Sequence, residues 1–139
     1  MKRRVVTLLQ KHLINPRTRE RAGEPGERYA LLETTGRKSG QPRQTPVGNG
    51  LIGETFWIVA EHGRQAQYVR NIERDPRVRV KVGGRWLAGT AHLMPEDDPL
   101  KRQETLDPTT AREVRVMGTD LLTVRIDLHV HEPPDQERS

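Results

Sequence analysis

The 139-residue sequence contains no cysteine and few aromatic residues: one phenylalanine, two tyrosines and two tryptophans. The absence of cysteine excludes disulfide bonds and thiolate metal sites, and it fits a protein of the reducing cytoplasm. The scarcity of aromatic rings disfavours a single-strand nucleic-acid binder, because such proteins stack bases on them. No apolar run approaches the about 20 residues that a membrane-spanning helix needs. The length is that of one small domain.

The chain is strongly basic, with a net charge of +5 and a pI of about 10.1. This charge favours an anionic partner such as nucleic acid, a lipid headgroup, or a phosphorylated or polycarboxylate ligand. No nucleic-acid-binding motif is present, so we expect no nucleic-acid partner. Hydrophobic residues make up 32% of the chain and charged residues 31%, which predicts a lean core that a homodimer would help to stabilise.

Residues 1–16 are predicted to form an amphipathic helix. Its apolar stripe is Val5, Leu8, Leu9 and Leu13, and basic residues lie mostly off that stripe. Two interpretations stay open: the helix packs on the domain, or it makes a peripheral contact with the inner, anionic face of a membrane. At the other end, residues 132–139 are predicted to be disordered.

The segment 17–131 is predicted to be mainly β, an antiparallel barrel with flanking helices. Alternating apolar residues and turn signals favour strands and hairpins over parallel βαβ units. Two short helices are expected before the last strand, the first of them capped by Asp97 or Asp98. Strands are predicted at 29–35, 45–49, 55–60, 77–82, 85–94 and 120–130, and helices at 65–76, 95–106 and 108–118.

A basic loop, TTGRKSGQPRQTP at 34–46, separates the first two predicted strands. It carries Arg37, Lys38 and Arg43 and no acidic residue. Glycines allow backbone amides to approach an anion, and arginine offers forked donors that suit phosphate oxygens. The spacing of a P-loop is absent. The alternative is a solvated hairpin loop that is basic because the whole protein is basic.

The strings LLETTGRKSGQPRQTPVGNG and FWIVAEHGRQAQYVRNIERDPRVRVKVGGRW resemble the deazaflavin-dependent nitroreductase family, over residues 13–128. The resemblance implies a split β-barrel, related to FMN-binding barrels, and the 8-hydroxy-5-deazaflavin coenzyme F-420. That coenzyme carries a ribityl phosphate and an oligoglutamate tail, which the basic loop would hold. The cofactor-binding residues implied by the resemblance are Arg37, Lys38, Ser39, Gly40, Arg43, Thr45, Pro46, Val47, Gly48, Asn49, Ala60, Glu61, His62, Gly63, Tyr68 and Asn71.

The family chemistry is hydride transfer from the reduced coenzyme, and the protein supplies position, charge and a dry pocket. His62 and Glu61 are the candidate catalytic residues, as proton donors, since histidine exchanges protons near neutral pH. Tyr68 could instead be core, and Asn71 could instead cap or cross-link loops. Nitroimidazole-reducing members carry tyrosines in the C-terminal part of the chain, and none follows Tyr68 here. An activated alkene, enone or quinone-like, lipophilic small molecule is therefore the expected substrate.

Two other functions fit the sequence. The same barrel could hold FMN, whose phosphate also suits a basic loop, although FMN has no oligoglutamate tail. Alternatively, the protein binds a cofactor or lipid without catalysis. His129 and His131 have the spacing of a metal-binding pair, but no third ligand is evident and no metal is expected.

Overall fold

The computed structural model describes residues 20–108 and 120–129 of the chain. The helix predicted at 1–16, nearly all of the helix predicted at 108–118, and the tail at 132–139 lie outside these residues. Seven strands lie within the described part. They are β1 (Tyr29–Thr35), β2 (Pro42–Gly48), β3 (Leu51–Ile52), β4 (Thr55–Ala60), β5 (Arg77–Val82), β6 (Arg85–Met94) and β7 (Leu122–Leu128).

Burial alternates along the strands β4 and β5. In β4, Phe56, Ile58 and Ala60 point into the protein, and in β5 the buried residues Val78 and Val80 alternate with exposed arginines. Because side chains of a strand point alternately to opposite faces, this period of two directs one face to the core. The strands predicted at 29–35, 55–60, 77–82 and 85–94 are confirmed at these bounds.

All strands belong to one curled antiparallel sheet with the order β2-β1-β5-β6-β7-β4-β3. The largest fully buried side chains of its core are Phe56, Leu32, Ile126, Val80 and Val124, together with Val69 from a helix. The predicted mainly β, antiparallel fold is therefore confirmed. The topology places β2 and the two-residue β3 at the two edges of the sheet.

Three strand predictions need correction. The last strand, β7, spans Leu122–Leu128, where 120–130 was predicted. β2 begins at Pro42 rather than at residue 45, and β3 occupies Leu51–Ile52, where only a turn was expected. The first three residues of β2 are exposed, so they show no apolar alternation, and pairing with β1 (Thr35 opposite Pro42) alone makes them a strand. Proline is tolerated there because β2 is an edge strand.

Two α-helices and one 3₁₀ turn lie wholly within the described part. The turn is Gly63–Gln65, α1 is Gln67–Arg74 and α2 is Pro99–Leu106. α1 ends before Asp75, whose extended backbone is the conformation favoured before proline. α2 begins at Pro99, and the carboxylate of Asp98 caps it by accepting hydrogen bonds from the backbone N–H groups of Leu100 and Lys101, at 3.1 and 3.2 Å.

α2 packs on the sheet through a charged contact rather than through buried apolar residues. The guanidinium of Arg102 lies 3.8 Å from the centroid of the Trp57 ring on β4. Arg102 also donates two hydrogen bonds to Asp97, at 3.2 and 3.0 Å. No residue of α2 is fully buried, and this cation–π contact links the helix to β4. Neither α1 nor α2 is long and apolar enough to span a membrane, nor is any other helix within 20–108 and 120–129.

Candidate functional site

The basic loop is a closed hairpin tip between β1 and β2. The backbone N–H of Gly36 donates to the carbonyl of Gln41, and that of Gly40 donates to the carbonyl of Gly36, both at 2.8 Å. The hydroxyl of Ser39 accepts from the backbone N–H of Gln41 at 3.1 Å. Gly40 has a φ of 72°, a conformation that favours glycine. Because its own groups close the loop, it can present its cations without first becoming ordered.

Two of the three loop cations, Lys38 and Arg43, are exposed. The only described hydrogen bond of the Arg43 side chain is a long one, 3.4 Å, to the Ser39 hydroxyl. Neither cation pairs with a carboxylate in the part of the chain that the structure describes. The acid nearest in register is Glu33 of β1, and it already accepts from Arg79 and Gln44. Among the described residues, the positive charge of the loop is therefore not compensated by an acid.

The third cation, Arg37, contacts neutral acceptors on α1. Its backbone N–H and its guanidinium both donate to the side-chain oxygen of Asn71, at 3.2 and 2.9 Å. The guanidinium also donates to the side-chain oxygen of Gln67 at 2.8 Å. Since both acceptors are amides, these bonds hold the arginine in place without neutralising its charge.

Asn71 is the centre of this cross-link. It is buried, and its side-chain NH₂ group donates to the hydroxyl of the equally buried Thr34 at 3.1 Å. Thr34 lies near the end of β1, so one carboxamide joins the strand, the loop and the helix. The cross-linking role is observed, and a direct contact of Asn71 with a cofactor stays a prediction.

Most other described arginines pair with a carboxylate. Arg77 donates to the carboxylate of Asp75 at 2.9 Å, and Arg79 pairs with Glu33 at 2.7 Å. These side chains contribute little net charge to the surface because each faces an acid. The cations of the hairpin tip differ from these arginines because they have no described carboxylate partner. Their donor groups suit phosphate and carboxylate oxygens.

The turn after β4 contains the predicted proton donors. Ala60 is fully buried at the end of the strand, and Glu61 and His62 are half-buried. Gly63 has a φ of 51°, and a Cβ built on it would lie 2.1 Å from the carbonyl oxygen of Asp120. This close approach requires glycine. Residues 61–63 are thus held against the segment that leads into β7.

Tyr68, on α1, packs against the main apolar core and against a smaller buried cluster formed by Ala60, Val69 and Leu122. Burial raises the pKa of its hydroxyl above the usual range, and the negative charge of Glu61 raises it further. The hydroxyl therefore stays protonated at physiological pH and can donate a hydrogen bond. Because Tyr68 packs against the cluster that contains Ala60, the helix and the turn after β4 meet in one region.

The remaining predicted residues follow β2 away from the loop. Thr45 is half-buried, Pro46 and Val47 are buried, and Gly48 and Asn49 are exposed. Val47 belongs to the apolar core, so its side chain faces inward. At about 3.4 Å per residue, the two ends of β2 lie ~20 Å apart. The structure therefore groups Arg37 with Asn71 and Tyr68 with Glu61, and it places Gly48 and Asn49 at the far end of the strand.

Sequence reasoning did not select Gln67 as a site residue. Gln67 lies one helical turn before Asn71, so the two amides share a face of α1. This spacing is visible in the sequence, but only the folded position of the basic loop beside α1 shows that Gln67 contacts Arg37. His129 shares a 3.1 Å contact with the Thr90 hydroxyl, whereas His131 lies outside the described residues. The described residues hold no group of three side chains that could bind a metal.

Solved structures share this fold. An F420-H2 dependent reductase, FDR-A, matches with a TM-score of 0.58 and 24% identity over 74% of this chain and 95% of its own. Protein Rv2991 from Mycobacterium tuberculosis matches with a TM-score of 0.56 and 24% identity, over 75% of this chain and 74% of its own. These likenesses confirm the predicted split β-barrel and concern the fold alone.

Curated relatives match in sequence. The F420H(2)-dependent quinone reductases Rv1261c and MT1299, from the H37Rv and CDC 1551 strains of Mycobacterium tuberculosis, are each 35% identical over 72 residues. The match covers 50% of this chain and 48% of each relative, so the chain spans about half the length of the curated relatives it matches. The family model that matches is described as F420H(2)-dependent quinone reductase, and it covers residues 6–129. The predicted deazaflavin dependence agrees with that description, which names quinone rather than nitro reduction. The chain belongs to the F420H(2)-dependent quinone reductase family.

Proposed function

We propose that this protein transfers hydride from reduced F-420 to a quinone-like acceptor. The proposal is carried by the charge of the hairpin tip: Lys38 and Arg43 have no described carboxylate partner. The guanidinium of Arg37 donates only to side-chain amide oxygens among the described residues. A coenzyme with a phosphate and several carboxylates is the kind of ligand that such a site stabilises. Family membership supplies the identity of that coenzyme.

The residues present fit the anionic part of the coenzyme. Lys38 and Arg43 would bind the phosphate and the first carboxylates, assisted by the amides around Ser39 and Gly40. Arg37 would add its charge from its fixed position. When bound, F-420 supplies a two-electron hydride donor at its C5 position. All remaining tasks, which are binding, orientation, exclusion of water and proton supply, fall to the chain.

Proton supply is proposed for the region where α1 meets the turn after β4. Tyr68 keeps its proton at physiological pH and can donate a hydrogen bond to an acceptor oxygen. Glu61 and His62 are half-buried there, so either can exchange a proton with solvent and with a bound acceptor. A quinone carbonyl that gains a hydride needs such a proton to become a hydroxyl.

The acceptor class is proposed from two observations. The curated relatives are named as quinone reductases. The sequence also lacks any tyrosine after Tyr68, whereas nitroimidazole-reducing relatives of the deazaflavin type carry tyrosines there. Together these favour a quinone, or a similarly activated enone or alkene, over a nitro compound.

Two further features are proposed. The basic, apolar-striped segment 1–16 would let a cytoplasmic protein contact anionic membrane, where lipophilic quinones reside. Deleting residues 1–14 should then abolish binding to anionic vesicles while the barrel stays folded. A homodimer is supported by the fold likeness to a domain-swapped dimer, with a TM-score of 0.58 and 24% identity over 74% of this chain and 81% of that one. Sedimentation would test it.

The proposed function is tested by titration followed by turnover. Oxidised F-420 and FMN are each titrated against the protein at physiological salt, with absorbance and fluorescence as readouts. F-420 should bind more tightly, and the loaded protein should reduce a soluble quinone faster than a nitroimidazole. Tighter FMN binding, or binding of neither, would overturn the proposal. Arg85→Ala serves as a control, because Arg85 is exposed on the β5–β6 hairpin, away from the site.

A further inference from the structure

Helix α1 carries two exposed arginines beside the face that contacts the hairpin tip. Gln67 and Asn71, four residues apart, form the contacting face. Arg74 follows at i+7 from Gln67, on the same stripe, and Arg70 lies at i+3. Both arginines are exposed. Arg70 and Arg74 therefore lie on the side of α1 that is next to the basic loop.

The opposite face of α1 is apolar and determines this orientation. Val69 and Ile72 are buried in the core of the protein. On a helix with 3.6 residues per turn, Arg74 and Arg70 then point away from the core and toward the loop side or solvent. The direction of the arginines follows from the burial of their neighbours.

The acids near these arginines are already paired elsewhere. Glu73 accepts from Arg64 at 2.7 Å, and Asp75 accepts from Arg77 at 2.9 Å. Within 20–108 and 120–129, neither Arg70 nor Arg74 pairs with a carboxylate. An ordinary surface helix places its own acids beside its cations. Here the local acids face other arginines, and positive charge remains beside the hairpin tip.

We infer that Arg70 and Arg74 extend the anion site of the loop and bind the oligoglutamate tail of the coenzyme. The inference rests on the proposed function and names a further subsite for the same ligand. Four residues of helix place the two arginines ~6 Å apart along the axis. This is shorter than the screening length of about 8 Å at physiological salt, so both act on one stretch of carboxylates. Lys38 and Arg43 bind the phosphate end of the same ligand.

A helix-stabilising role is the competing explanation, because Arg74 lies in the last turn of α1, where a cation offsets the helix dipole. That role concerns folding and is independent of the ligand. It predicts that removal of the arginines lowers the free energy of unfolding and leaves the tail-length dependence of binding intact. The two roles are therefore separable by measurement.

The test compares two double variants with equal loss of charge. Arg70→Gln/Arg74→Gln removes the proposed subsite, and Arg85→Gln/Lys101→Gln removes two exposed cations elsewhere. Three probes are titrated: F-420 with a tail of several glutamates, the phosphate-bearing form without glutamates, and an oligo-γ-glutamate peptide alone. Because two surface ion pairs with the tail are lost, the first variant should bind the tailed form about tenfold more weakly. It should bind the tail-free form within about twofold of the unaltered protein. The control pair should change neither.

Equal affinity of the unaltered protein for the tailed and tail-free forms would overturn the inference, as would an equal loss in the control pair. If no form of F-420 binds, the proposed function fails. Binding of the oligo-γ-glutamate peptide alone then tests the proposed subsite. Peptide binding that the first double variant loses supports the surface, and absence of binding overturns it. Binding of anionic vesicles, but not of the peptide, through the same arginines would assign the surface to lipid and also overturn the inference.

Discussion

The side-chain oxygen of Asn71 accepts two hydrogen bonds from Arg37, one from the backbone N–H at 3.2 Å and one from the guanidinium at 2.9 Å. The same side chain donates to Thr34 at 3.1 Å. A buried carboxamide on α1 with partners on β1 and in the loop is costly to remove, because each partner would lose a hydrogen bond away from water. The position of the basic loop thus depends on a residue that carries no charge.

Asn71→Ala should therefore destabilise the protein. Removal of the carboxamide leaves the buried Thr34 hydroxyl and the Arg37 N–H without these partners, and we expect a loss of about 1–3 kcal/mol in the free energy of unfolding. Urea denaturation measures it. Gln44→Ala is the matched control, since its exposed amide donates one bond to Glu33 and should cost less than about 1 kcal/mol. Equal losses in the two variants would contradict the central role of Asn71.

Gly63→Ala tests the close approach of the turn to Asp120. Gly63 and Gly53 both have positive φ, 51° and 61°, but a Cβ at Gly53 meets no atom within 4 Å. Gly53→Ala should thus cost only the backbone strain of about 1–2 kcal/mol. Gly63→Ala adds a clash with a backbone carbonyl and should cost more, by thermal or urea unfolding. If the two variants are equally stable, the turn is free to move away from Asp120.

Asp97 should make stability depend on pH. Its hydrogen bonds with Arg102 hold the pKa of the Asp97 carboxyl below its ordinary value of 3.8. A carboxyl with a lowered folded-state pKa stabilises the protein above the unfolded-state pKa, and this contribution is lost as pH falls through the folded-state pKa. The melting-temperature difference between the unaltered protein and Asp97→Asn should therefore be full at neutral pH and shrink below pH ~4.

The exposed acid Glu96 provides the comparison, as Glu96→Gln. Its melting-temperature difference from the unaltered protein should be small and should not follow the course expected for Asp97→Asn. A difference for Asp97→Asn that stays constant as the solution is acidified would contradict the assignment of that stability to the Asp97–Arg102 pair.

Lys38→Ala and Arg43→Ala should each weaken F-420 binding by about 1.5–3 kcal/mol if each cation makes a charge-assisted hydrogen bond. Because both side chains are exposed and pair with no carboxylate in the described part of the chain, stability should change little. Arg37→Ala should instead lower both affinity and stability, since it also removes bonds to α1. Equilibrium titration beside urea unfolding separates the two effects. Unchanged affinity in the Lys38→Ala/Arg43→Ala double variant would move the anion site elsewhere.

Substitutions of His62 and of Tyr68 should affect catalysis differently. If His62 is the general acid, His62→Ala lowers turnover of a quinone by about 100-fold, with cofactor affinity little changed. Tyr68→Phe should leave the shape of the pH profile between about pH 6 and about pH 9 unaltered, because the raised pKa of Tyr68 keeps it protonated throughout. A step in that profile that disappears in Tyr68→Phe would contradict this. Intact turnover in His62→Ala would point to Glu61 or water as the proton source.

The central strands were predictable because their signal is local. β5 has an apolar residue at every second position, and that period selects its buried face, whereas β4 is a short, almost wholly apolar run bounded by turn residues. The signal for the end of α1 was also local, since Pro76 disfavours a helical conformation at Asp75. The basic character of residues 34–46, and the family they resemble, were likewise readable from the sequence.

Other features were decided by contacts between residues distant in sequence. The first half of β2 is a strand because β1 pairs with it, and its exposed side chains carry no periodic signal. The sequence presented Arg37, Lys38 and Arg43 as three equivalent cations, but tertiary structure separated them by placing amide acceptors of α1 beside Arg37 alone. The physical reason is that a side chain's charge is local information, whereas its partners depend on which surfaces the folded chain brings within about 3 Å.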